Sequence, residues 1–135
     1  MDRGTLVMPY VATLTAADLD FGNRITEQLK TAKFSFNGTF WLYDEAVDDW
    51  QLTIATELVD KLGPRNTYLQ LSRSISSVSG SDFQLLRIAV ISPRTAVYAA
   101  LRRMFGTTAN VEGVRLQRAV VNGILISDAY LYQIK

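Results

Sequence analysis

Apolar side chains recur at helical spacing in the first quarter of the chain. Phe21, Ile25 and Leu29 lie four positions apart, and most charged residues fall between them. This period places one apolar stripe against a core. Thr15 precedes the stripe and is a favourable capping residue, since its hydroxyl can accept from a free backbone N–H of the first turn. The pattern predicts a helix that begins after Thr15 and ends near Lys33.

An alternating pattern replaces the helical period after this helix. Aromatic and β-branched residues dominate positions 36–43, and Trp50, Leu52 and Ile54 then alternate with polar residues over positions 50–57. Both segments favour strands. The acidic residues between them are typical of a turn, so the pair is predicted to form an antiparallel hairpin.

Two further helices and a buried strand follow. Pro64 suits the first position of a helix, where no backbone N–H is needed, and apolar residues at helical spacing come after it. The nearly continuous apolar segment at positions 83–91 predicts a strand covered on both faces. The segment after Pro93 predicts a third helix, for which Gly106 is a suitable end.

The last part of the chain predicts a second hairpin. Two apolar segments, 114–121 and 124–134, flank Asn122-Gly123, a dipeptide that strongly favours a two-residue turn. The element order α-β-β-α-β-α-β-β predicts an α+β fold. We expect a mostly antiparallel or mixed sheet of about five strands with three helices packed on it, in the simplest arrangement all on one face. One domain over residues 1–135 is expected, with residues 1–13 as an extra strand or a loose arm.

The composition removes several chemistries. The chain contains no cysteine and no histidine, which excludes disulfides, thiolate zinc sites, cysteine nucleophiles and histidine-dependent triads. No run of about 18 apolar residues is present, and the N-terminus lacks the features of a signal peptide. We therefore expect a soluble protein of the cytoplasm with no membrane partner, no cofactor, no metal and no assigned catalytic residue.

The net charge of +1 conceals a division between the two halves of the chain. Residues 1–64 contain five basic and ten acidic side chains, whereas residues 65–135 contain nine basic and three acidic ones. Eight of those nine basic residues are arginines. The division predicts either a basic face for nucleic acid or another polyanion, or two halves that neutralise each other within one fold or across a dimer. The second interpretation is the simpler one.

Two short segments have the form expected of an anion site. Ser92-Pro93-Arg94 and Gly63-Pro64-Arg65 each place an arginine in the first turn of a predicted helix, beside free backbone N–H groups. Ser92 would cap the helix or contact the anion, and Arg94 would bind it. Ordinary helix initiation also explains a serine followed by proline, but it leaves the arginine unexplained. The predicted anion-binding residues are Ser92, Arg94 and Arg65.

The first hairpin is apolar on both of its faces. Trp41 and Tyr43 share one face of the first strand, and Phe40 and Leu42 share the other. Because a small domain must cover both faces, we predict an interface at Trp41, Tyr43 and Trp50, with a homo-oligomer or a protein partner. Cross-strand packing inside a core is the alternative.

The turn of the same hairpin is strongly acidic. Asp44, Glu45, Asp48 and Asp49 offer the oxygen ligands that a hard cation prefers, but their spacing does not fit a calcium loop. A solvated hairpin tip is the favoured interpretation.

Three functions remain open at this point. The first is a non-catalytic interaction or regulatory protein that self-associates. The second is a nucleic-acid or polyanion binder that uses the arginine-rich C-terminal half. The third is an enzyme acting on a small anionic substrate at Ser92 and Arg94, with Glu57 or Asp60 as the base.

Overall fold

The computed structural model describes residues 13–78, 87–105, 112–121 and 123–135. The predicted strand or arm at residues 1–13 therefore lies, except for residue 13, outside the described residues, as do Asn122 and the helix end at Gly106. The helices are α1 (Ala16–Thr31), α2 (Leu58–Ile75) and α3 (Ala96–Phe105). The strands are β1 (Gly38–Asp44), β2 (Asp49–Ala55), β3 (Ile88–Ile91), β4 (Val114–Leu116), β5 (Ala119–Val121), β6 (Ile124–Ile126) and β7 (Ala129–Ile134).

Five strands form one mixed sheet in the order β3-β2-β1-β7-β4. Strands β2 and β3 run parallel, and the other neighbours are antiparallel. Strands β5 and β6 pair with each other in a separate antiparallel hairpin. The predicted α+β class, the order of helices and strands, and the mixed sheet of five strands are confirmed.

Helix α1 begins where the sequence predicts. The Thr15 hydroxyl accepts from the Asp18 backbone N–H at 3.0 Å, and the Asp18 carboxylate accepts from the Thr15 backbone N–H at 3.0 Å. This reciprocal capping box satisfies two backbone groups that the helix cannot satisfy itself. Phe21, Ile25 and Leu29 are buried, so the predicted apolar stripe is the face that packs on the sheet.

The sheet is covered on both of its faces. Trp41 and Tyr43 of β1 pack in a core beneath α1 and α2, whereas Phe40 packs with Tyr98 of α3 in a second core. The prediction that all helices lie on one face is therefore wrong. The physical reason is the doubly apolar β1: α1 and α2 cover one face, and α3 with the β5–β6 hairpin covers part of the other.

Helix α2 contains a break directly before Pro64, where the sequence predicts the start of a helix. Gly63 has φ 82° and ψ 162°, outside the helical region, and Pro64 follows it. Glycine adopts this positive φ without the steric cost that a Cβ brings. The helix predicted to begin at Pro64 is thus the longer second part of α2, and a first short turn begins already at Leu58, soon after β2 ends at Ala55.

A tyrosine of α2 covers the outer edge of β3. The Tyr68 hydroxyl donates to the Ile88 carbonyl at 3.0 Å and accepts from the Val90 backbone N–H at 3.3 Å. These backbone groups would otherwise point out of the sheet, where an exposed edge strand is open to pairing with another chain.

The two segments of the second predicted hairpin are each divided. The first becomes β4 and β5, and the second becomes β6 and β7. The division lies where the Arg118 backbone N–H donates to the Asp128 carboxylate at 2.8 Å rather than to a strand partner. As a result β7 enters the sheet between β1 and β4, and β5–β6 packs against α3. Among the described residues, no helix is long and apolar enough to cross a membrane.

Candidate functional site

The structure places the predicted residues Ser92 and Arg94 around one carboxylate. The Ser92 hydroxyl donates to Asp60 Oδ2 at 2.8 Å, and Arg94 Nη1 lies 3.1 Å from the same oxygen. The Arg94 backbone N–H donates to Ser92 Oγ at 3.1 Å. The chain's own Asp60 therefore occupies the position that the sequence assigned to an external anion.

The parallel pairing of β2 and β3 explains this meeting. Their carboxyl ends lie side by side, with Ala55 opposite Ile91, and the Thr56 backbone N–H donates to the Ile91 carbonyl at 2.9 Å. Asp60 follows β2 in the first turn of α2, and Ser92 follows β3. Of the two carboxylates that the sequence suggested as a partner base, Asp60 makes the contact, whereas Glu57 is exposed at the start of α2.

This cluster lies at the surface. The side chain of Arg94 is 74% exposed and that of Asp60 is 33% exposed. Solvent screens such a pair, so its contribution to the free energy of unfolding is about 0–1 kcal/mol. Ser92 also supports the start of α3. The Thr95 hydroxyl and the Thr95 backbone N–H both donate to the Ser92 carbonyl.

The third predicted anion ligand, Arg65, lies elsewhere on α2. It is exposed in the turn that follows Gly63, and no described carboxylate lies within ion-pair distance of it. Among the described residues, no side-chain hydrogen bond or ion pair brings Arg65 together with Ser92, Arg94 or Asp60.

The predicted interface residues Trp41, Trp50 and Tyr43 are buried within the chain's own core, at 0%, 1% and 7% exposure. Trp41 Nε1 donates to the Tyr132 hydroxyl at 3.1 Å, and that hydroxyl donates to the Leu19 carbonyl at 2.7 Å. Burial raises the pKa of Tyr132. Helices α1 and α2 thus supply the covering that the sequence pattern required on this face.

Arginines complete the packing around these rings. The Arg87 guanidinium lies 4.9 Å from the Trp41 ring centre, 2.9 Å from the Asp18 carboxylate and 3.8 Å from that of Asp49. Burial alone would raise the pKa of Asp18, but the Thr15 backbone N–H and the Arg87 guanidinium outweigh it and hold that pKa below its ordinary value.

The charge division of the sequence is partly neutralised inside the fold. Arg87, Arg94 and Arg118 of the basic half pair with Asp18, Asp60 and Glu45 of the acidic half. Five arginines of the basic half have no described carboxylate partner: Arg65 and Arg73 lie on α2, Arg102 and Arg103 lie on α3, and Arg115 lies on β4 with its guanidinium 5.3 Å from the Trp50 ring centre.

The side chains of the acidic hairpin turn have different surroundings. Asp48 accepts from the Tyr43 hydroxyl, which raises the pKa of Tyr43 to about 12, and Asp49 faces Arg87. Asp44 and Glu45 instead line a groove on the α3 side. In the described part of the chain, no group of three acidic side chains is arranged to hold a metal ion.

On the α3 side of the sheet, two grooves are lined by described residues. The larger, named here the sheet groove, has a volume of about 400 Å³ and is lined by residues of β1, β2 and β3, by Val97 of α3 and by Ser127. The smaller, the α3–β6 groove, has a volume of about 210 Å³ and is lined by Ala96, Ala99, Ala100, Arg103 and Ile124.

The β5–β6 hairpin beside the smaller groove presents an apolar pair to solvent. Val120 and Leu125 lie directly opposite each other, at 69% and 48% exposure. Sequence reasoning predicted the turn between them but not their exposure, because their apolar character is equally typical of a central strand. The sequence contains one signal of this arrangement, the polar residues Arg118 and Asp128, which lie where the two long predicted strands divide.

Comparison of the chain with protein-family models, with curated proteins and with solved structures finds no match.

Proposed function

We propose that this chain is a non-catalytic interaction protein that self-associates through the β5–β6 hairpin and the adjoining α3–β6 groove. The observation that carries the proposal is the exposed pair Val120 and Leu125, which forms an apolar ridge on a hairpin outside the main sheet. Single exposed apolar residues are common on proteins, whereas an opposed pair beside a groove that is apolar except for Arg103 is typical of an interaction surface.

A second copy of the chain suits this surface because of its shape. A two-fold interface must be self-complementary, so the same patch must contain both a projection and a recess. The ridge of Val120 and Leu125 supplies the projection. The α3–β6 groove, whose floor is made by small alanine side chains, supplies the recess, and Ile124 belongs to both because it lines the groove and precedes Leu125.

The charge of the hairpin also favours a second copy. Residues 119–126 contain no charged side chain and no proline, the two devices that commonly prevent edge-to-edge pairing. Within the described residues, β5 and β6 each pair only with the other. Two identical uncharged strands can approach without repulsion, and an isolated two-stranded hairpin gains stability from further strands.

Sedimentation equilibrium over a wide concentration range tests this proposal. We expect a dimer that dissociates on dilution, and we expect Val120→Glu to raise its dissociation constant by at least about tenfold, because a symmetric contact would bury two like charges. Val47→Glu is the matched control, since Val47 is 56% exposed at the β1–β2 turn. A monomer at every concentration would contradict the proposal, and so would equal weakening by both variants. Circular dichroism checks that both variants are folded.

A further inference from the structure

The sheet groove has the dimensions and the lining of a small-ligand site. Its volume of about 400 Å³ lies in the range of ligand clefts, which is about 300–1,000 Å³. Among the described elements, α3 packs over β7 and β6 and does not cover the same face of β2 and β3, which leaves the groove between them.

The lining is apolar with a few polar groups. Leu42, Ala89, Ile91 and Val97 are half-buried around the groove and give it an apolar interior. Thr53 is buried on its floor, and its hydroxyl is held by a bond to the Gln51 carbonyl at 3.3 Å. Such a surface removes an apolar ligand body from water, which is the main favourable term in binding.

One end of the groove is acidic. Asp44 Oδ1 accepts from the Ala46 backbone N–H at 2.9 Å, which fixes this carboxylate at the rim. Glu45 lines the same rim and is only loosely paired, with Oε2 3.9 Å from Arg118 Nη1 and both side chains more than half exposed. None of the described residues that line the groove carries a positive charge.

The surroundings of this rim increase its negative potential. Asp128 follows the groove residue Ser127 and adds a third carboxylate. This carboxylate accepts a hydrogen bond from the Arg118 backbone N–H. Asp44 also lies directly opposite Asp49 in the β1–β2 ladder, and like charges opposed in this way repel. Arg87 Nη2 lies 3.8 Å from the Asp49 carboxylate, whereas a cation in the groove would relieve the repulsion at Asp44.

We propose that the sheet groove binds a small amphiphilic cation, with an apolar body over Leu42, Ile91 and Val97 and an ammonium group at Asp44 and Glu45. The limited volume suits a small amine rather than a polypeptide segment. This site is independent of the self-association surface, because it is lined by different residues.

Isothermal titration calorimetry with hexylamine tests the site, with hexanol and hexanoate as neutral and anionic probes of the same length. We expect hexylamine to bind at least about tenfold more tightly than hexanoate, the factor expected of one charge-assisted contact. Amide resonances of β1, β2 and β3 should shift in heteronuclear NMR. Equal affinity for the three probes would overturn the proposal, as would shifts confined to other elements or the absence of hexylamine binding.

Substitutions separate the acidic rim from general surface charge. The double variant D44N/E45Q should weaken hexylamine binding by about tenfold, whereas Asp20→Asn, which removes an exposed carboxylate of α1 on the other side of the sheet, should leave it unchanged. Ala89→Phe would fill the groove and should abolish binding of both hexylamine and hexanol. An unchanged affinity in both D44N/E45Q and Ala89→Phe would overturn the assignment of the ligand to this groove.

Discussion

The two faces of the sheet use their polar groups differently. Beneath α1 and α2, Arg87, Asp18 and the Tyr132 hydroxyl are all engaged within the fold. On the α3 side, the carboxylates of Asp44 and Glu45 and the apolar pair Val120 and Leu125 remain at the surface. The larger of the two cores also lies on the first face, so we expect the larger share of stability there, and our proposals assign recognition to the second.

The largest effect that tests this comparison is expected at Trp41. Trp41→Ala removes a fully buried ring and its bond to Tyr132, and should lower the free energy of unfolding by about 3–5 kcal/mol. Its neighbour Leu42 faces the sheet groove and is half-buried, so Leu42→Ala should cost no more than about 1–2 kcal/mol. Urea unfolding followed by circular dichroism measures both, and equal losses would contradict an unequal division of stability.

The next effect concerns the Tyr132 hydroxyl. Tyr132→Phe leaves the Trp41 indole N–H and the Leu19 carbonyl without this partner, and should cost about 1–3 kcal/mol. Tyr130→Phe is the matched control, since Tyr130 lies on the same strand and its hydroxyl has no hydrogen bond to a described residue. A loss in Tyr130→Phe as large as in Tyr132→Phe would show that the hydroxyl bridge is not the source of the effect.

A smaller effect is expected in acid. Because the folded-state pKa of Asp18 is held below its ordinary value of 3.8, the unfolded chain binds a proton at Asp18 more readily than the folded chain does. The stabilisation is therefore complete above that ordinary value and is lost as the pH falls through the folded pKa. Urea midpoints measured from neutral pH downward should fall less steeply in Asp18→Asn than in the parent protein. An equally steep fall in Asp18→Asn and in the parent protein would contradict this expectation.

The smallest effect is expected at the Asp60, Ser92 and Arg94 cluster. A double-mutant cycle with Asp60→Ala and Arg94→Ala should give a coupling free energy of about 0–1 kcal/mol, because Arg94 is largely solvated. A coupling free energy above about 2 kcal/mol would contradict this expectation, because it would require a pair that is shielded from solvent.

The sequence predicts the local elements of this fold well, because their signals are local. The Thr15 cap, the apolar stripe of α1 and the turn that contains Gly123 each depend on neighbouring residues. Gly123 has φ 77°, a positive value that such a turn requires. The meeting of Asp60 with Ser92 depends instead on the parallel pairing of β2 and β3, which are separated by the whole of α2. No local period contains that information.

The first hairpin shows what a hydrophobic pattern can predict and what it cannot. The doubly apolar β1 correctly indicates that both faces of the strand need a cover. The pattern does not identify that cover, and the structure supplies it from α1, α2 and α3 of the same chain. The exposure of Val120 and Leu125 likewise follows only from the departure of β5 and β6 from the sheet at Arg118 and Asp128.

The tyrosine at the β3 edge limits how copies of this chain can assemble. An open-ended fibre requires two free edges on each copy, one to receive the previous copy and one to offer to the next. Tyr68 already bonds two backbone groups of β3, so an incoming strand would have to displace its hydroxyl. We therefore expect addition of a strand at the β3 edge of the five-stranded sheet to be disfavoured.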